Sequence, residues 1–510
     1  MRTRTRALAL GFALAAAPLG AQEPLSVIDW LSQQSGGGAG PVLLEPPVAE
    51  TAAGPEITVS PLDDLARSVG LVPGSVTGLP PELWEKSRVD DLTRLIDAAP
   101  VIGNPAMQAL LYSLLLTEAR APDAPGAEAA LLSARLDRLM ELGAVDPAQS
   151  LAGLAGPETD PALFARWFDA LLLTGDEDQG CAVLAQAPHL SPGQAARIFC
   201  QVRRGDWSTA ALTLEVAHAL ELLPPDELRL LDRFLSPEMF EGLPPLPRPD
   251  HPDPLSFRLF EAIGERLPTA PLPRAFATAD LRDVAGWKAQ IEAAERLVRS
   301  GALTPNMLLG LYTQRAPAAS GGVWDRVAAL QRFETALQSG SVEAVEKTLP
   351  PVWRAMQSER LEVPFAALFG EALAGVALQD PTARALAFRI RLLSPQYEAA
   401  ARDAPDDDPR TTFLAALARG IPGLLPPPDA QARAIADGFA SDATPPARLR
   451  EALDQGRLGE VILEAMRLFD RGARGNLDDL TRALATLRAV GLEDSARRAA
   501  LQLMLLERGP

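Results

Sequence analysis

With 510 residues and 47% hydrophobic content, this chain can bury a large core, and its length suits two or three domains. A formal net charge of −18 argues against nucleic acid and anionic membrane surfaces as partners, since both select basic proteins. Aromatic residues are only 5% and runs of Val, Ile and Thr are scarce, so strand signals are weak and an all-α fold is expected.

Residues 1–21 read as a cleaved signal peptide. Arg2, Arg4 and Arg6 form a positive start, Ala7 to Ala17 runs apolar apart from Gly11, and small residues precede a cut after Ala21. That apolar stretch is too short for a bilayer, which needs about 20 residues, and no Cys follows it to carry a lipid. No stable membrane anchor is therefore expected. Lys86, Lys288 and Lys347 are the only lysines, and Ala is abundant throughout. Both features fit a GC-rich bacterial genome, so the expected location is the periplasm, with secretion as the alternative.

Residues 22–34, QEPLSVIDWLSQQ, place Leu25, Ile28 and Leu31 at helical spacing with Trp30 beside them. A helix of about two turns is marginal alone. Leu25, Ile28, Trp30 and Leu31 are candidate docking residues, either for a groove of the same chain or for a partner. Residues 35–81 form a Gly- and Pro-rich linker followed by an irregular stretch.

From 82 the apolar period becomes 3.6. Leu92, Leu95 and Ile96 make one stripe. Met107, Leu110, Leu111, Leu114 and Leu115 make the next. Leu131, Leu132, Leu136 and Leu139 follow, then Leu163, Trp167, Leu171 and Leu172. Pro, Gly and Asp interrupt the stripes within a few residues, as in helix pairs with short connections. Prolines in 242–254 and the breaks in 403–429 divide the chain into helical blocks at 82–241, 255–402 and 430–510. Trp84, Trp167, Trp207, Trp287, Trp324 and Trp353 lie in or beside helical stretches and are expected to act as core wedges.

One stretch carries a family resemblance. From Gly205 the chain reads Gly-Asp-Trp-Ser-Thr-Ala, followed by Leu214 and Ala217. Gly175 is followed by Gly180, Leu184, Ala187 and Pro192, with Glu177 in place of the aromatic. Gly456 and Gly491 open further helices, the second followed by Ala496 and Ala500. This resembles the turn and second helix of tetratricopeptide repeats, although Gly175 and Gly205 lie closer than the roughly 34 residues of that family. The resemblance implies stacked helix pairs, a right-handed α-solenoid, and a protein-binding habit.

Cys181 and Cys200 are the only cysteines, and in an exported chain an even count favours a disulfide. On the helix reading they face each other across an antiparallel pair. A loop of this size contributes roughly 3 kcal/mol in the chain-entropy picture.

Catalytic signals are missing. His189, His218 and His251 have no ligand at i+4, and neither a nucleophile elbow nor a phosphate loop occurs. Asp406–Asp408 and Asp176–Asp178 lack the spacing of a calcium loop and read as solvated loop acids, some capping helices. No cofactor and no metal is expected. The expected function is a non-enzymatic adaptor or scaffold for protein partners of a cell-envelope assembly, in motility or cell-wall machinery. The alternative is a peptidoglycan or carbohydrate hydrolase, whose carboxylates need no fixed spacing.

Overall fold

The computed structural model describes residues 68–100, 103–282 and 284–506. The expected cut at Ala21 and the candidate docking residues Leu25, Ile28, Trp30 and Leu31 lie outside them. Among the described residues the secondary structure is helical, with one isolated parallel bridge between Val72 and Thr117.

The first run comprises α1 (Val89–Asp97), α2 (Pro105–Leu116), α3 (Ala127–Leu142), α4 (Val145–Leu154), α5 (Pro161–Thr174), α6 (Glu177–Gln186), α7 (Gln194–Arg203), α8 (Trp207–Ala219), α9 (Pro225–Leu235) and α10 (Pro254–Ala262). The second comprises α11 (Trp287–Val298), α12 (Pro305–Thr313), α13 (Val323–Ser339), α14 (Val342–Gln357), α15 (Glu362–Ala374) and α16 (Pro381–Leu392). The third comprises α17 (Pro409–Ala418), α18 (Ala430–Gly438), α19 (Ala447–Asp454), α20 (Leu458–Ala473), α21 (Leu477–Ala489) and α22 (Glu493–Leu505).

Many helices start the same way. An Asp followed by Pro opens α5, α10, α16 and α17, and the Asp160, Asp253, Asp380 and Asp408 carboxylates each accept a backbone N–H of the first turn. The proline sits where its missing N–H costs nothing, and the acid satisfies an orphan donor near the positive helix end. Prolines that punctuate the sequence thus also begin helices. At the α5–α6 and α7–α8 turns, Gly175 and Gly205 take left-handed φ of 94° and 80°, which a side chain would strain.

The leucine stripes turn inward as their period requires. Leu92, Leu95, Ile96, Leu111, Leu114, Leu115, Leu136, Leu139, Leu171 and Leu172 are all essentially inaccessible. Successive helices pack as neighbours, α4 on α5, α7 on α8, α13 on α14 and α20 on α21, giving an all-α stack of helix pairs. The tryptophans divide. Trp84, Trp167 and Trp353 are buried, but Trp207 is 51% exposed and is no core wedge. It begins α8, whose neighbours α7 and α9 cover only the face bearing Ala210, Leu214 and Ala217.

Two apolar cores result. One runs from Val72 to Ala279 and resumes from Phe388 to Met504; the other spans Ala277 to Leu393 and takes in Leu506. The C-terminal helices therefore return to the first ones, with α20 packed on α1 and α22 on α2. Gly459 N–H donates to Leu83 O at 3.0 Å. Asn104 Nδ2 donates to Ala499 O at 2.9 Å, and Ala106 N–H to Gln502 Oε1 at 2.8 Å. Ser300 Oγ donates to Leu142 O at 2.7 Å and ties the second core to the first.

Candidate functional site

The segment with the repeat-like motif is pinned on its inner side. Cys181 and Cys200 form a disulfide that joins α6 to α7, with Cα atoms 4.9 Å apart. Arg203 on α7 forks onto Asp178 at 2.9 Å through both oxygens. The neighbouring acid departs from its expected solvated place. Glu177 is only 1% exposed and accepts from Arg258 Nη2 at 2.5 Å, which links α10 to the start of α6. A buried carboxylate needs such a partner, and the cation lies 81 residues away, beyond any local reading.

The outer side of this segment is different. Along α8 and just past it, Trp207, Leu212, Val216 and Leu220 are exposed, Leu212 and Leu220 by 61% and 64%. Residues 212, 216 and 220 recur every four positions, so they line one helix face. Scattered exposed leucines are ordinary; a row of them on one helix marks a surface suited to a partner.

A cavity of about 450 Å³ opens where the two cores meet. Its walls come from α2, the α11–α12 turn, the start of α15 and the α21–α22 turn, with Val76 and Leu79 from the chain just inside the described fold. Leu79, Ala109, Val363 and Leu368 supply apolar lining. Arg299, Arg360 and Arg498 supply the cations, and Asp494 is the one acid among the lining residues. Arg299 pairs with Glu359 at 2.9 Å. Arg498 pairs with Asp494 at 2.9 Å and lies 5.3 Å over the Tyr397 ring. Arg360 is exposed and has no ion pair among the described residues.

Arg360 also has an uncommon backbone. It closes α14 with φ of 56°, while Leu361 N–H returns to Met356 O at 2.9 Å. This is the left-handed helix stop that glycine usually fills. The sequence signal is faint: Ser358, Glu359 and Arg360 end a helix with no glycine to mark the turn. Arg299 and Arg498 had no signal at all, because the cavity joins segments up to 426 positions apart, from Val76 to Gln502. Chemically the site offers an apolar floor and a cationic rim. With a single acid in its lining, it is not the pair of convergent carboxylates that glycoside hydrolysis uses.

The remaining polar candidates sit elsewhere. His189 and His251 are exposed, and His218 faces Asp232 at 2.9 Å. Asp408 caps α17. Among the described residues no group of three or more His, Cys, Asp or Glu is placed to hold a metal. Asp169 on α5 is the most perturbed acid: burial and then the nearby Asp253 charge push its pKa up to about 7, against the pull of Arg166. It does not line the cavity.

Asp169 makes a pH-dependent contribution whose sign is set by that raised value. The folded chain keeps this proton between about pH 4 and 7, where the unfolded chain releases it. Stability from this group is full at low pH and is lost as pH rises through the folded pKa. Asp169→Asn cannot titrate. It should match the wild type near pH 4.5 and exceed it by about 2 kcal/mol at pH 8, allowing for partial screening. Urea midpoints at the two pH values check this; an equal difference at both would refute it.

No protein-family model, no curated protein and no solved structure matches this chain.

Proposed function

We propose that this chain is an exported, non-enzymatic helical-repeat scaffold that holds protein partners in the cell envelope. The observation that carries the reading is the exposed apolar row Leu212, Val216 and Leu220 along and just past α8, in the segment whose sequence resembles a tetratricopeptide repeat. Stacked helix pairs offer long, shaped surfaces, and in such arrays the residues left outside by the stack are the ones free to recognise another chain. Export rests on the basic, apolar and small-residue pattern of residues 1–21. The acidic balance of the chain favours a partner with a basic face around an apolar contact.

The test replaces Leu212 or Val216 by a photo-crosslinking residue in the native host. The same defined envelope protein should be captured from both positions, and not from the exposed Glu128 on α3. Leu220→Glu should abolish capture while leaving the unfolding midpoint unchanged. Equal adducts from all three positions, or recovery of the chain in the cytoplasm with residues 1–21 attached, would overturn the reading.

A further inference from the structure

We propose that residues 22–34 of this same chain dock in the cavity between the two cores, with Arg360 as the cation that receives an acid of the peptide, Glu23 or Asp29. The inference goes beyond the scaffold reading, which concerns the exposed face of α8, outside the cavity lining, and a second protein.

Four observations converge on this occupant. The first is chemical match. The cavity has an apolar lining through Leu79, Ala109, Val363 and Leu368, and a cationic rim. The segment carries Leu25, Ile28, Trp30 and Leu31, with Glu23 ahead of them and Asp29 among them, and has no basic residue. A volume of about 450 Å³ lies within the roughly 300–1,000 Å³ range of sites that swallow apolar groups and orient them with a few polar contacts.

The second is where the chain arrives. The described fold begins at Ser68, and Val76, Thr77 and Leu79 are themselves part of the cavity wall. Residues 35–67 separate the segment from that point, and a linker of this Gly- and Pro-rich composition spans on the order of 30 Å on average. The peptide is tethered beside the opening. A tether of this length gives an effective concentration in about the millimolar range, so a contact too weak to capture a free peptide still fills the site.

The third is the state of the three cations. Arg299 and Arg498 already have carboxylate partners, Glu359 and Asp494. Arg360 alone of the three is left without one among the described residues, and it is the cation available to a newly arriving acid.

The fourth is the backbone under Arg360. A left-handed non-glycine residue costs about 1 kcal/mol relative to glycine at a helix stop. Its φ of 56° places an arginine where glycine would relieve that strain. An arginine in such a backbone position points to a role for the side chain itself.

The experiment uses the purified mature chain, residues 22–510, with a photo-crosslinking residue in place of Trp30. Irradiation and peptide mapping should give links within one molecule to the cavity wall around Ala109, Val363 or Leu368, with a yield independent of protein concentration. Arg360→Gly should lower that yield at least fivefold while raising or preserving the unfolding midpoint, so lost docking cannot be confused with lost folding. Arg360→Lys should keep most of the yield, and Glu23→Gln with Asp29→Asn should lower it. Links to a second copy, links to α8 or any other surface, or a yield unchanged in Arg360→Gly would overturn the proposal. Because no other protein is present, failure here leaves the scaffold reading standing, and failure of partner capture leaves this one standing.

Discussion

Replacing Gly459 by alanine should destabilise this protein by about 2 kcal/mol, although alanine is ordinarily the better helix former by up to about 1 kcal/mol. Gly459 lies in the first turn of α20, buried against Trp84 and the Leu83 backbone. An added Cβ would sit 2.8 Å from Leu83 O and closer still to the Trp84 ring. Trp84 is fully buried and has no room to retreat, because packed interiors resist even one extra carbon. The matching control is Gly310, in the exposed middle of α12 with nothing within 4 Å of a built Cβ. Gly310→Ala should gain up to about 1 kcal/mol. Opposite signs for one substitution at two helical glycines can be read from urea midpoints. A stabilising Gly459→Ala would show that α20 does not close tightly on the start of the fold. Hydrogen exchange in α1 and α20 should rise together in that variant, since the two helices protect each other.

Arg135→Met should cost about 3 kcal/mol. Arg135 on α3 is 3% exposed and spends its guanidinium on backbone carbonyls rather than on a carboxylate: Leu115 O at 2.7 Å, Val69 O at 2.8 Å and Thr117 O at 3.1 Å. Burial draws its pKa down to about 10, which still leaves it charged at neutral pH. The side chain gathers the end of α2 and the incoming segment of residues 69–72 around one cation. Methionine keeps much of the volume but leaves three acceptors without their donor. Arg135→Lys should recover only part of the loss, because one ammonium group lacks the planar fork. Denaturation midpoints measure the cost, and proteolysis near residues 68–79 should accelerate first. A neutral Arg135→Met would mean that water replaces the guanidinium without penalty.

Much of the local architecture was legible in the residues. The stripes from Leu92 to Leu172 announced both the helices and the faces they bury, because helical period is a local property. Cys181 and Cys200 were legible as a bridge for the same reason: a short loop and two helices in sequence leave little choice of partner. The Asp-Pro pairs carry a helix-start signal, since the prolines at 161, 254, 381 and 409 start helices. Trp207 misled, because an aromatic on a helix carries no mark of whether the next helix covers it.

For the candidate sites, residue identity alone carried little. The row at 212, 216 and 220 is plain in the sequence, but an apolar row looks the same whether it is covered or open. Glu177 reads as one acid in a run of three until Arg258 arrives to bury it. Arg299, Arg360 and Arg498 are three arginines among many until the seam between two cores brings them to one opening. Local physics, namely helix period, capping and turn glycine, acts over a handful of bonds and is written in adjacent residues. The return of α20 and α22 to α1 and α2, and the cavity it encloses, depends on surfaces some 400 positions apart that recognise each other only after every helix between them has formed.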